Sequence, residues 1–303
     1  MPDTAMRDLL AGSIDYAGLF PPAALDMPAA ARAYAGYLAG PDAWALGRFV
    51  VPAARLEELE AEAEPLAPRR PAAPWRLSAL LGAAAAEELA EIGEHNCRHA
   101  ADAAASLSVD AVEAKADSVA AIDRLIGALP RWLPPGNAYI ELPLEPDPAP
   151  LVAALAWHGA RAKVRTGGVT ADAFPDTERL LRFLRACVTA GVAFKATAGL
   201  HHLLRAEYRL TYAADSGRGT MFGYLNVFLA AAFLAQGMGD ADAARLLEER
   251  SADAFEVGPE AIAWRGHRLD RAAIAGARSA AVVSFGSCSF TEPVGELRGL
   301  RWA

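Results

Sequence analysis

The chain has 303 residues, 53% of them hydrophobic and 22% charged, with 37 acidic against 29 basic side chains and a formal net charge of −8. Surface-to-mass scaling lets about three quarters of the unfolded surface be buried at this size, which excludes a disordered chain. The acidic balance argues against broad nucleic-acid binding and against adhesion to an anionic membrane, so neither partner is expected.

Short apolar runs alternate with longer Ala/Leu/Glu/Arg-rich stretches of helical spacing almost from end to end. The pattern predicts a strand over Ile14–Leu19, a helix over Pro28–Leu38, a strand over Arg48–Pro52 and a helix over Ala54–Ala63. Strands Arg76–Leu81 and Val109–Lys115 follow, with helices Ala84–His99 and Ser118–Leu129 behind them. Next come strand Ala138–Leu142, helix Pro150–Trp157, strand Ala162–Arg165, helix Asp176–Thr189 and strand Ala193–Thr197. The chain then spends much longer on one unit: helices Phe222–Gln236 and Ala241–Arg250, a hairpin Phe255–Leu269 turning at Gly258-Pro259, and a last strand Ala281–Phe285. Eight strands with intervening helices are the count of an α/β (β/α)8 TIM barrel, read as a single domain over residues 1–303. Residues 203–280 form an enlarged seventh βα unit, a candidate lid or subunit contact, the latter implying a homo-oligomer. A competing assignment makes Phe255–Trp264 the eighth strand. The Pro/Ala-rich Pro65–Pro74 reads as a long surface connection, because the rhythm resumes beyond it.

Cys97, Cys187 and Cys288 are odd in number and irregular in spacing, neither a disulfide framework nor a Cys-x-x-Cys knuckle, which fits a reducing cytoplasm. The N-terminal residues carry acids where a signal peptide is basic, and the most apolar run, Tyr224–Leu234, contains Asn226 and is too short for the ~20 residues of a membrane span. A soluble, cytoplasmic protein is expected.

Strand side chains alternate, so polar residues between apolar ones point to the barrel axis. By this rule Glu113 and Lys115, Glu141, Lys163 and Arg165, and Lys195 converge from four consecutive strands; Asp15, between Ile14 and Tyr16, is a further candidate. One inward Lys–Glu pair is most simply a buried bridge, but six charges are costly enough to point to chemistry or ligand binding. Two lysines beside an arginine in a low-dielectric cavity are expected to free one amine by desolvation and like-charge repulsion. That amine could form a Schiff base, with Glu113 or Glu141 moving protons and Arg165 holding a carboxylate or phosphate.

Four segments carry a family resemblance. Ile14-Asp15-Tyr16-Ala17-Gly18-Leu19 is similar to a first strand beginning Ile-Asp-His-Thr. Lys163-Val164-Arg165-Thr166-Gly167-Gly168 is similar to Lys-Thr-Ser-Thr-Gly, and Val192 to Gly199 to Val-Gly-Phe-Lys-x-x-Gly-Gly. Ser284-Phe285-Gly286-Ser287-Cys288-Ser289 is similar to a closing Phe-Gly-Ala-Ser-Ser. In this order the segments resemble a divergent member of the deoxyribose-phosphate aldolase group of class I, Schiff-base aldolases. The resemblance implies Lys163 as the Schiff-base lysine, Lys195 as the second lysine lowering its pKa, and Glu113 in place of a proton-relay aspartate. It also implies that Gly167, Gly286 and Ser287 sit where the family holds a substrate phosphate, with Gly168 adjoining them. Arg165 replaces a small hydroxyl residue, Glu113 is one methylene longer than Asp, His201-His202 replace a Gly/Arg-Thr continuation, and the seventh unit is enlarged. These departures argue for a different substrate.

The reading from sequence is therefore a lyase or aldolase acting on a small anionic carbonyl compound without a cofactor. Its alternative is a metal-dependent lyase, hydrolase or oxygenase holding a divalent ion such as zinc on His201, His202, Cys288 and Glu141. A third possibility is a non-catalytic ligand-binding barrel. His201, after the seventh strand, is also a candidate substrate contact, and Phe20, Pro21 and Pro22 could line the mouth. His95 and His99, spaced i, i+4, read as a surface-facing pair. Gly217 to Gly223 reads as a helix-start loop, and Asn226 as a buried amide satisfied locally.

Overall fold

The computed structural model describes residues 4–68, 73–101 and 106–302. The chain opens with α1 (Ala5–Leu10), β1 (Ile14–Tyr16), α2 (Met27–Ala39) and β2 (Leu46–Pro52). Next are α3 (Leu56–Ala63), β3 (Trp75–Leu80), α4 (Ala85–Ala101), β4 (Leu107–Lys115), α5 (Val119–Gly127) and β5 (Ala138–Glu141). They are followed by α6 (Ala149–His158), β6 (Arg161–Arg165), α7 (Thr177–Ala190) and β7 (Phe194–Thr197). Helix starts follow capping chemistry: Asp26, Ser118 and Asp176 each accept a hydrogen bond from the backbone N–H three residues on. Gly159 and Gly191 end α6 and α7 in the left-handed conformation that glycine adopts at no steric cost.

After β7 come a two-stranded hairpin, β8 (Ala206–Arg209) and β9 (Arg218–Met221), then α8 (Tyr224–Ala235) and α9 (Asp240–Leu247). A three-stranded antiparallel meander, β10 (Phe255–Val257), β11 (Ala261–Trp264) and β12 (His267–Asp270), leads through α10 (Arg271–Ala280) to β13 (Val282–Ser287) and α11 (Thr291–Gly299). Eight parallel strands close a barrel in the order β1-β13-β7-β6-β5-β4-β3-β2. This is the expected TIM barrel, and its eighth strand is β13. The competing strand Phe255–Trp264 instead belongs to the separate meander.

Three details differ from the sequence reading. The hairpin over Phe255–Leu269 is one strand larger, because Arg265 and Gly266 both adopt positive φ and make a second tight turn. Arg218–Met221 forms β9 rather than a helix-start loop, and the helix begins at Tyr224. His95 and His99 do not face the surface: they are buried against Glu60 of α3. Burial and the adjacent His99 press the His95 pKa down to about 4. Within Pro65–Pro74, residues 69–72 lie outside the described residues.

Helix α8 is apolar on all sides, a pattern that requires burial all round. Every residue from Tyr224 to Leu234 is buried, enclosed by α7, α9, α10 and β13. Asn226 within it is satisfied, donating to the carbonyls of Leu246 and Glu249 and accepting from the Arg205 N–H. The enlarged unit thus does two things: α9 and α10 cover α8, while the β8–β9 hairpin stands near the barrel mouth. Among the described residues no helix is long and apolar enough to cross a membrane.

Candidate active site

Parallel register sets the inward side chains next to one another. Lys115 pairs with Glu141, Glu141 with Lys163, and Lys163 with Lys195 along β4, β5, β6 and β7. The side chains form an alternating chain of charge. Lys195 Nζ lies 2.6 Å from Asp15 Oδ2 and 2.6 Å from Glu113 Oε1. Lys163 Nζ lies 2.8 Å from Glu113 Oε2 and 2.9 Å from Glu141 Oε2, and Lys115 Nζ is 3.6 Å from Glu141 Oε1. Three carboxylates face three ammonium groups, so the network is neutral as a whole and its burial is electrostatically compensated.

Its deep end is fixed by groups the sequence reading did not single out. Ser78 Oγ donates to Glu113 Oε1 at 2.7 Å, Ser284 Oγ to Asp15 Oδ2 at 2.9 Å, and the Arg48 N–H to Asp15 Oδ1 at 2.7 Å. Ser78 was legible: it sits at the inward parity of β3, between the buried Leu77 and Ala79. Burial alone would raise the Glu113 pKa, but the charges of Lys163 and Lys195 and their hydrogen bonds hold it well below the usual carboxylate range. Burial alone would lower Lys195, yet Asp15 and Glu113 outweigh it and raise Lys195 above an ordinary lysine. Lys195 therefore stays charged. The expected bare repulsion between the two lysines is replaced by a shared anion, with one Glu113 oxygen on each.

Above this network, at the carboxyl ends of the strands, lies a cavity of about 260 Å³. Glu113, Glu141, Lys163 and Lys195 form its floor, and Lys115, Arg165, Gly168, His201, Gly286 and Cys288 line its sides, with Phe20, Pro21 and Pro22 at its wall. A wider groove of about 800 Å³ adjoins it and shares Lys115, Glu141 and Arg165. Lys115 and Arg165 are exposed at the strand ends, and no carboxylate among the described residues pairs with Arg165.

Three expected substrate contacts fall elsewhere. Asp15 is 1% exposed and does not line the cavity, its carboxylate spent on Lys195, Ser284 and the Arg48 N–H. Gly167 lines the adjoining groove, and a Cβ there would come within 2.2 Å of the Phe174 ring, so its glycine serves packing. Ser287 is also buried off the cavity; its Oγ donates to the Ser289 carbonyl at 2.6 Å and sits 3.1 Å from His201 Nδ1. With Asp15 included, the axial group carries four bases against three acids, so it is less positive than the six-residue count implied.

The alternative metal ligands do not converge. His201 Nδ1 is 3.7 Å from Cys288 Sγ, but His202 turns to Glu296 at 2.6 Å and stacks on Tyr208 of the hairpin. Glu141 is committed to Lys163 and Lys115. Burial and His202 depress the His201 pKa to about 4, leaving the ring neutral near pH 7, while burial pushes the Cys288 thiol up. The pair is thus a neutral imidazole beside a neutral thiol.

No family model, curated protein or solved structure matches the chain, so the site geometry carries the functional assignment.

Proposed function

We propose that the protein is a lyase of the aldolase type that forms a Schiff base between Lys163 and a small anionic carbonyl compound. One observation carries this reading. Lys163, in the cavity floor between Glu113 and Glu141, has Glu141 Oε2 at 2.9 Å but out of line for a hydrogen bond, so that oxygen keeps a lone pair for proton transfer. Lys163 hands a proton to Glu141, and its freed pair forms the C–N bond as the carbonyl π electrons move to oxygen. Glu141 returns that proton to the oxygen, takes one from the nitrogen, and delivers it to the hydroxyl, which leaves as water. The product is an iminium with Glu141 again ionised.

In the cleavage direction Glu141 removes the β-hydroxyl proton. The carbon–carbon pair flows to the iminium nitrogen, releasing an aldehyde and leaving an enamine, which the protonated carboxyl re-protonates on carbon before water releases the second carbonyl product. Lys195 and Glu113 hold the amine in position with fixed charge. Exposed Lys115 gives Glu141 a proton route to solvent, and the guanidinium of Arg165, which meets no carboxylate among the described residues, is suited to the substrate's carboxylate or phosphate. The four-segment resemblance to Schiff-base aldolases supports the same choice of lysine.

Borohydride reduction during incubation with a panel of small keto acids, aldehyde acids and sugar phosphates tests it. Mass spectrometry should find the reduced adduct on the peptide carrying Lys163 and none in Lys163→Met. A panel that leaves no adduct on Lys163 contradicts the reading and leaves a ligand-binding barrel in its place.

A further inference from the structure

The outer wall of the barrel holds a second buried cluster that the proposed reaction does not use. Glu60 from α3 meets His95 and His99 from α4. One helical turn separates the two histidines, which puts both rings on one face, and their centroids are 4.3 Å apart. Glu60 Oε2 is 3.2 Å from His95 Nδ1, and Glu60 Oε1 is 3.1 Å from His99 Nε2. Taking one ligand atom from each residue, all three lie within 4.8 Å of one another. A tetrahedral ion with bonds of ~2.0–2.1 Å spaces its ligand atoms by about 3.3 Å, so the cluster closes on an ion by drawing its ligand atoms in from at most 4.8 Å.

A second observation points to a ligand. His95 is 1% exposed, and its Nε2 is buried with no hydrogen-bond partner among the described residues. Orphaned nitrogens of this kind are costly, and a metal ion or a bound water would relieve the cost. Glu60 and His95 border a cleft of about 390 Å³, also lined by Glu57, Glu91 and Glu94, whose charge favours a cation; Arg98, 3.1 Å from Glu60 Oε2, opposes it. Two imidazoles and a carboxylate are a donor set for zinc-class ions rather than for calcium or magnesium.

We propose that Glu60, His95 and His99 bind one divalent transition ion of the zinc class, its fourth position open to the cleft, and so staple α3 to α4. The ion lies outside the barrel and takes no part in the lysine chemistry. The experiment strips the full chain with chelator and titrates it with zinc by calorimetry. It then repeats the titration with cobalt, read by its visible absorption, and with zinc, read by melting temperature. One ion per chain is expected, with a rise in Tm of about 5 °C at a hundredfold excess over Kd. Glu60→Gln and His99→Gln should each lose the binding, while His158→Gln, on a surface pair with Asp123, should keep it. Failure of the stripped wild type to take up zinc or cobalt, or uptake undiminished in Glu60→Gln and His99→Gln, would overturn the proposal; the wild-type titration decides even if a variant does not fold.

Discussion

Two charged networks occupy opposite ends of the barrel and differ in kind. Toward the amino ends of the strands, Arg48 Nε and Nη2 grip both oxygens of Asp110 at 2.5 and 3.1 Å, and Arg76 Nε adds 2.8 Å. Burial opposes the charge on Arg48, but the hydrogen bond to Asp110 and the charges of Asp15 and Asp110 raise its pKa further above the arginine value. Guanidinium groups do not deprotonate in proteins, and a bidentate fork fixes geometry, so this lower network can only hold the barrel together. The upper network is built from lysines and glutamates, groups that can exchange protons, and its members line a cavity. The same barrel thus separates a bridge that cannot give up a proton, at the amino ends of the strands, from one that lines the cavity at the carboxyl ends.

Breaking the two networks one residue at a time should separate activity from stability. The largest effect is expected for Lys163→Met: turnover of any substrate found in the panel falls roughly 10⁴-fold or more, while the melting curve still shows a cooperative fold. Steady-state kinetics beside calorimetry checks this. Glu113→Gln touches both properties, because it strips the shared anion from two buried lysines; unfolding in urea should show a loss of about 3–5 kcal/mol.

Glu113 also sets the pH response. Its folded pKa lies below the ordinary 4.5, so its contribution is present above about pH 4.5 and drains away as pH falls toward the folded value. The folded pKa of Lys195 lies above the ordinary 10.5, so its contribution is present below that pH and is lost as pH rises through the folded value. Glu113→Gln should flatten the acid limb of the stability curve. An unchanged acid limb would remove the charge account of the upper network.

Asp110→Asn sharpens the contrast: about 3 kcal/mol of stability lost, with adduct formation at Lys163 unchanged. Urea unfolding and the borohydride assay, run on the same preparation, read the two halves. The smallest effect belongs to Arg165→Gln at the rim. It should raise KM for an anionic substrate about tenfold, worth ~1.4 kcal/mol, with little change in kcat or Tm.

The barrel was legible because its strands alternate cleanly, and Lys163, Lys195 and Glu113 stood out as charges inside apolar runs. The lower network was not, and β4 shows why. Register slips between Leu77 and Ser78 of β3, where Asp110 is the extra residue on β4. Strict alternation puts Asp110 and Glu113 on opposite faces, whereas the slip turns both inward, Asp110 to Arg48 and Glu113 to the lysines. Helices α1, α10 and α11 escaped notice for local reasons. α1 has only six residues, and α11 carries Pro293 and Gly295. Gly276 interrupts α10, whose Asp270 cap was the signal to use. Asp15 read as a substrate contact because sequence spacing says which face a residue takes, not how deep it lies along the axis.

If the upper network makes and breaks a Schiff base at Lys163, the protein exchanges a carbonyl oxygen with water. Each reversible iminium expels the substrate's carbonyl oxygen as water. In heavy-oxygen water the wild type and Asp110→Asn should therefore label a bound carbonyl compound much faster than the protein-free rate. Lys163→Met should label it no faster than buffer. Equal labelling by Lys163→Met and the wild type would contradict the account.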